Sequence, residues 1–137
     1  MSEKAGRPAP ASPASPMTIV CIVDDDVSVR KSLANLLRSA GYPSRVFVSG
    51  EEFLSLASFD DVACLLLDLK MHGLSGIEVM QALALMDRKI PVICMSAHWD
   101  EAALAASSRY GATECLRKPF SSDALLGAVE LALEVKG

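Results

Sequence analysis

The sequence predicts an α/β fold: one (βα)₅ domain in which five parallel strands form a doubly wound sheet with helices on both faces. Three observations predict it. Short apolar runs alternate five times with longer amphipathic stretches, the pattern of strand, crossover helix and next strand. The runs are almost continuously apolar instead of alternating with polar residues, which marks strands covered on both faces and hence parallel. With 137 residues, 51% of them hydrophobic, the chain fills a single core and has no room for a second.

The elements follow in order. Residues 1–16 (MSEKAGRPAPASPASP) are rich in Pro, Ala and Ser and carry no large apolar side chain after Met1, so they are expected to form a flexible tail outside the domain, which starts at Met17 and runs to Gly137. TIVCIV (18–23) is the first strand. Val29, Leu33, Leu36 and Leu37 share one helical face, and Gly41 ends that helix. SRVFV (44–48) is a weaker second strand, with a short helix near 50–58 after it. ACLLL (63–67) is the third strand, and Ile77, Met80, Leu83 and Leu85 mark a third helix that stops before Pro91. PVICMS (91–96) is the fourth strand, followed by a short helix near 100–109. TECLR (113–117) is the fifth, and Leu125, Leu126, Val129, Leu131 and Leu133 form a last helix capped by Ser121 or Ser122.

Composition excludes several functions. Seventeen acids against 13 bases give a net charge of −4, so there is no basic field to hold nucleic acid phosphates and direct DNA binding is not expected. No apolar run reaches the length of a membrane span, and the N-terminus lacks a signal-peptide core. A cytoplasmic protein is expected. Cys21, Cys64, Cys94 and Cys115 occur singly inside apolar segments without the close spacing of zinc ligands, and read as small hydrophobes in a reducing compartment.

In a doubly wound sheet the ligand site lies beyond the carboxyl ends of the strands. There the sequence places Asp24, Asp25 and Asp26 after strand one, Asp68 after strand three, Ser96 after strand four, and Lys118 with Pro119 after strand five. Clustered carboxylates repel unless a cation neutralises them, and hard oxygen donors suit Mg²⁺. Metal, ammonium and hydroxyl together can hold the oxygens of a phosphoryl group while a carboxylate attacks phosphorus. Taken singly, each acid also reads as a helix cap or turn former, Ser96 as a cap and Lys118 as a solvated charge.

The set IVDDD, LLLDLKMHGLSG, MSA and LRKPF, in that order, resembles the four signatures of two-component response-regulator receiver domains, and the likeness covers about 18–135. It is most similar to receivers that precede LuxR-type DNA-binding domains. The resemblance implies a flavodoxin-like strand order of 2-1-3-4-5 and a phosphoprotein switch, not a turnover enzyme. In that switch Asp68 accepts a phosphoryl group from a sensor histidine kinase or phosphotransfer protein in a Mg²⁺-dependent reaction. It implies metal ligation by Asp25 directly, Asp24 through water, Asp68, and Lys70 through its carbonyl. Ser96 would bond the phosphoryl oxygen and Lys118 would pair with Asp68 or the phosphoryl group, while Ala97 leaves the approach open. It also implies a cis Lys118–Pro119 peptide and a homodimer through helix four, strand five and helix five.

Two positions depart from the family. His72 stands where most receivers carry Pro, and Cys115 where most carry an aromatic residue tied to signal propagation. His72 and His98 are expected at the rim of the site as solvated groups; Trp99 is expected at a partner contact or partly buried. Two other readings compete: a pseudo-receiver that binds without phosphorylation, and a haloacid-dehalogenase-type phosphatase with Asp24 as nucleophile and Asp26 as general acid. The latter leaves Asp68 without a role. The chain stops after the fifth helix without an output domain, which fits either a stand-alone regulator or part of a longer one.

Overall fold

A computed structural model of the chain describes residues 19–136. The tail assigned to 1–16 and the final Gly137 lie outside the described residues. Ten elements alternate without exception: β1 (Ile19–Val23), α1 (Val27–Ser39), β2 (Ser44–Phe47), α2 (Gly50–Leu54), β3 (Val62–Asp68), α3 (Gly76–Leu85), β4 (Val92–Ser96), α4 (Glu101–Arg109), β5 (Ala112–Arg117) and α5 (Ser122–Lys136). The sheet order is β2-β1-β3-β4-β5, and every pairing is parallel. Because side chains alternate along a strand, the sheet feeds two separate cores. Cys21, Val23, Leu65, Leu67 and Cys94 pack with Phe53 of α2 and Val79, Met80 and Leu83 of α3. Val20, Ile22, Cys64, Leu66, Ile93 and Met95 pack with Leu33 and Leu37 of α1 and Leu125, Val129 and Ala132 of α5.

Caps fix where the helices begin. Asp26 accepts from Ser28 N and Val29 N at the start of α1, and Ser75 forms a capping box with Glu78 before α3. Asp100 accepts from Ala103 N before α4. Of the two serines considered for α5, Ser121 is the cap: its Oγ accepts from Ala124 N at 3.0 Å.

Three details differ from the sequence reading. α2 ends at Leu54 instead of running toward 58, because the chain turns at Ser55 to bring Phe59 beneath Phe53, with ring centroids 5.3 Å apart. Leu85 is 89% exposed: two residues beyond Leu83 is about 200° around a helix, so it faces away from the core. Leu131, at 45% exposed, sits off the Leu125–Ala128–Val129–Ala132 face for the same reason. No helix among the described residues is long and apolar enough to cross a membrane.

Candidate functional site

The carboxyl ends of β1 and β3 lie side by side, since Val23 pairs with Leu67. That pairing projects Asp24 and Asp68 from adjacent strands, and one carboxylate oxygen each from Asp24, Asp25 and Asp68 falls within a 4.8 Å cluster. Asp24 is fully buried, Asp68 is 5% exposed and Asp25 faces solvent. The set fits a hard divalent cation: three oxygen donors of like charge, one open to water, with nothing soft among them. Lys70 follows on the loop, where it joins Asp25 and His72 in lining an open cleft.

Charge balance in this cluster comes from Lys118. Its Nζ donates to Asp24 Oδ2 at 2.8 Å and lies 3.5 Å from Asp68 Oδ1. Burial alone would lower the lysine's pKa; the hydrogen bond and charge of Asp24, with Asp68 behind, raise it instead. Lys118 is carried there by β5, which pairs with β4, and its own N–H donates to Ser96 O at 2.9 Å. The Lys118–Pro119 peptide is cis.

The two central carboxylates differ. Burial, and next the charge of Asp24, push the Asp68 carboxyl up to about 6, against the opposing pull of Lys118 and of Lys70 N–H. Asp25 moves the other way, held below the usual carboxylate range chiefly because the His72 backbone N–H donates to it at 3.0 Å. His72 Nδ1 stands 3.0 Å from that same oxygen, although the ring is fully exposed. A proline at 72 has no N–H to donate, so this contact belongs to the departure at that position. It was not legible in the sequence, because it joins residues 47 apart.

Asp26 is committed elsewhere. Its carboxylate caps α1, which removes the general acid from the phosphatase reading. Two supporting contacts carried no sequence signal that would single them out: Arg30 Nη1 donates to Asp24 O at 2.8 Å, and Gly76 packs under the β3–α3 loop. A Cβ at Gly76 would stand 2.6 Å from Asp68 O. Ser96 ends β4 almost fully buried; its Oγ donates to His98 O at 3.0 Å and accepts from His98 N at 3.3 Å. Trp99 is partly buried and donates from Nε1 to Leu116 O at 3.0 Å, tying the β4–α4 loop to β5. The structure thus gathers Asp24, Asp25, Asp68 and Lys118 directly, with Ser96 at the end of β4 and Lys70 and the two histidines on the surrounding loops.

Comparison with known proteins decides the family. The model of the response regulator receiver domain matches residues 20–130. The chain belongs to the response-regulator receiver family. Receivers are signalling domains of two-component systems, not turnover enzymes, and histidine kinases phosphorylate them. Nodulation protein W of Bradyrhizobium diazoefficiens is 40% identical over 121 residues, which are 88% of this chain and 53% of that protein. This receiver therefore spans about half the length of the curated relatives it matches. Among solved structures, the response regulator StyR superposes with a TM-score of 0.80 at 41% identity, over 85% of this chain and 59% of that one. FixJ-N does so at 0.79 and 34%, over 85% and 93%.

Proposed function

We propose that this receiver takes a phosphoryl group from the phosphohistidine of a cytoplasmic sensor kinase or phosphotransfer protein onto Asp68, in a Mg²⁺-dependent reaction, and so switches its contacts with a partner or output domain. The observation that carries the reading is Asp68 itself: a buried carboxylate at the end of the central strand, clustered with two further acids and 3.5 Å from a lysine ammonium. Asp68, Asp24, Asp25 and the Lys70 carbonyl would hold Mg²⁺, with Asp24 acting through water. Bound there, the ion supplies positive charge against the incoming phosphoryl oxygens.

The chain's own groups do the rest. An Asp68 oxygen attacks phosphorus as the P–N bond to the donor imidazole breaks. Lys118 exchanges part of its contact with Asp24 for a phosphoryl oxygen, and the Ser96 hydroxyl leaves His98 O to donate to another. Exposed Ala97 puts little bulk on the approach. The relay outward runs through α4, β5 and α5, whose exposed Leu104 and Leu131 offer apolar contacts for dimerisation. Unchanged mass in light scattering with and without beryllofluoride, over a wide concentration range, would argue against that dimer.

The test of the central step is intact-mass spectrometry with acetyl phosphate or a phosphorylated kinase. One phosphoryl group is expected per chain, only with Mg²⁺ present, because without it the donor meets Asp24 and Asp25 unscreened. Asp68→Asn should abolish uptake. Equal uptake by that variant would move the acceptor elsewhere, and no uptake by the native chain from any donor would favour a pseudo-receiver.

A further inference from the structure

Read along the chain, the four cysteines are unrelated; strand register relates two of them. β4 and β5 pair so that Cys94 and Cys115 are Cα partners, and both belong to the apolar layer between the sheet and α3. Partners in a parallel ladder send their side chains to the same face, so the two thiols stand side by side. A third sulfur joins them from α3: Met80 Sδ lies 3.6 Å from Cys94 Sγ. From α4 comes Ser107, fully buried, whose Oγ has no hydrogen-bond partner. That hydroxyl stands close enough to both thiols to pull their pKa values down against burial, without meeting full hydrogen-bond geometry to either. A buried hydroxyl left unpartnered costs free energy that a ligand among the sulfurs would recover.

We propose that Met80, Cys94 and Cys115 form a three-sulfur site for a soft monovalent cation, Cu(I) in a cell, with the Ser107 hydroxyl donating to a bound thiolate. Thiolate and thioether donors select Cu(I) over the hard ions of the carboxylate site. Metal–sulfur bonds of about 2.3 Å in a trigonal array place the sulfurs about 4 Å apart, and the Met80–Cys94 contact is within a few tenths of an ångström of that. Both cysteines are free thiols in the structure, so their sulfurs are open to a shared ligand.

Binding moves no electrons. Each sulfur donates a lone pair to the metal, and each thiol that becomes a thiolate releases its proton to water. Burial pushes the Cys94 thiol up to about 12 and raises Cys115 as well, so affinity should climb with pH. Cys94 is closed to solvent, while half-buried Cys115 on the edge strand is the way in.

The experiment is anaerobic titration of the reduced full chain with Cu(I) against bicinchoninate, with X-ray absorption on the loaded protein. One ion per chain is expected, with three sulfur neighbours near ~2.3 Å. Cys115→Ser should weaken binding at least about 100-fold and Met80→Leu at least about tenfold, since even outer partners of metal sites are worth about 10–100-fold. Cys64→Ala, on the opposite face of the sheet, should bind like the native chain. Unchanged affinity in Cys115→Ser, loss of binding in Cys64→Ala, or failure of the native chain to take Cu(I) from the chelator would each overturn the site. One readout needs no variant: a stoichiometric amount of Ag(I) should protect Cys115 of the native chain from maleimide alkylation, and undiminished alkylation would also overturn it.

Discussion

β3 and β5 lie in one sheet with only β4 between them, yet they are held very differently. All seven residues of β3 are buried, whereas β5 has none fully buried. Their helices repeat the contrast. α3 buries Gly76, Val79, Met80 and Leu83; α4, over β5, fully buries only Ser107. Asp68, the proposed acceptor, thus ends a strand buried along its whole length, whereas the Trp99 anchor lies on, and Lys118 directly follows, a strand that is buried only in part. Chemistry at Asp68 needs fixed geometry, while a change of shape is least costly where few apolar contacts must be broken. The division of labour is written in packing before any ligand arrives.

The largest effect expected from this contrast is on stability. Leu66→Ala on β3 removes a fully buried side chain from a closely packed layer and should cost about 3 kcal/mol. Leu104→Ala on α4, where the leucine is 45% exposed, should stay within about 0.5 kcal/mol. Urea denaturation at fixed pH measures both, and comparable losses would dissolve the distinction between the two sides.

Next in size is a pH effect confined to the rigid side. Without a bound metal, burial and the charge of Asp24 push the Asp68 carboxyl up to about 6, above its unfolded value of about 3.9. The folded state therefore holds a proton the unfolded state has lost. That contribution to stability is fully present below about pH 4 and disappears as pH rises through about 6. The gap of about two units corresponds to about 2 to 3 kcal/mol. Asp68→Asn has no such proton to lose, so between pH 4 and pH 7 it should gain that much over the native chain in EDTA. Parallel stability profiles for the two proteins would show that burial does not govern Asp68, and Mg²⁺ should shrink the gap by stabilising the native carboxylate.

The same contrast explains what was legible in the sequence. The apolar run ending in Asp68 announces a buried central strand, and the polar residues at strand ends mark the site, because strand periodicity and the position of a sheet's ligand crevice are local or topological rules. What escaped depends on contacts between distant residues. α2 stops early to let Phe59 reach Phe53; Leu85 and Leu131 look like core residues until the angular position of each on its helix is fixed by packing. The preference of Lys118 for Asp24 over Asp68, and the bond from His72 to Asp25, need coordinates. So does the pairing of Cys94 with Cys115, since register cannot be read from either strand alone.

The smallest effect, and the one that most sharpens the comparison, concerns how the rigid side informs the loose one. Cys115 is too small to swing into or out of a pocket on β5, so a large rotamer change there cannot report activation. The route left is the turn after β4. Ser96 Oγ is now engaged with the backbone of His98 on both its donor and acceptor sides, and one residue later Trp99 reaches across to Leu116 O. If Ser96 turns to a phosphoryl oxygen it must release His98 O, which loosens the segment that anchors the indole on β5. Spatial intermediacy is not coupling, so the route is a hypothesis with two separable demands. Trp99 emission should change when beryllofluoride and Mg²⁺ are added, and Ser96→Ala should remove most of that change while Asp68 still accepts phosphate. Cys115→Ala should instead cost about 1 kcal/mol of stability and leave the Trp99 response in place. The opposite pattern, with Cys115→Ala silencing Trp99 and Ser96→Ala leaving it intact, would put the signal on β5 itself and make its loose packing the origin of the switch instead of its outlet.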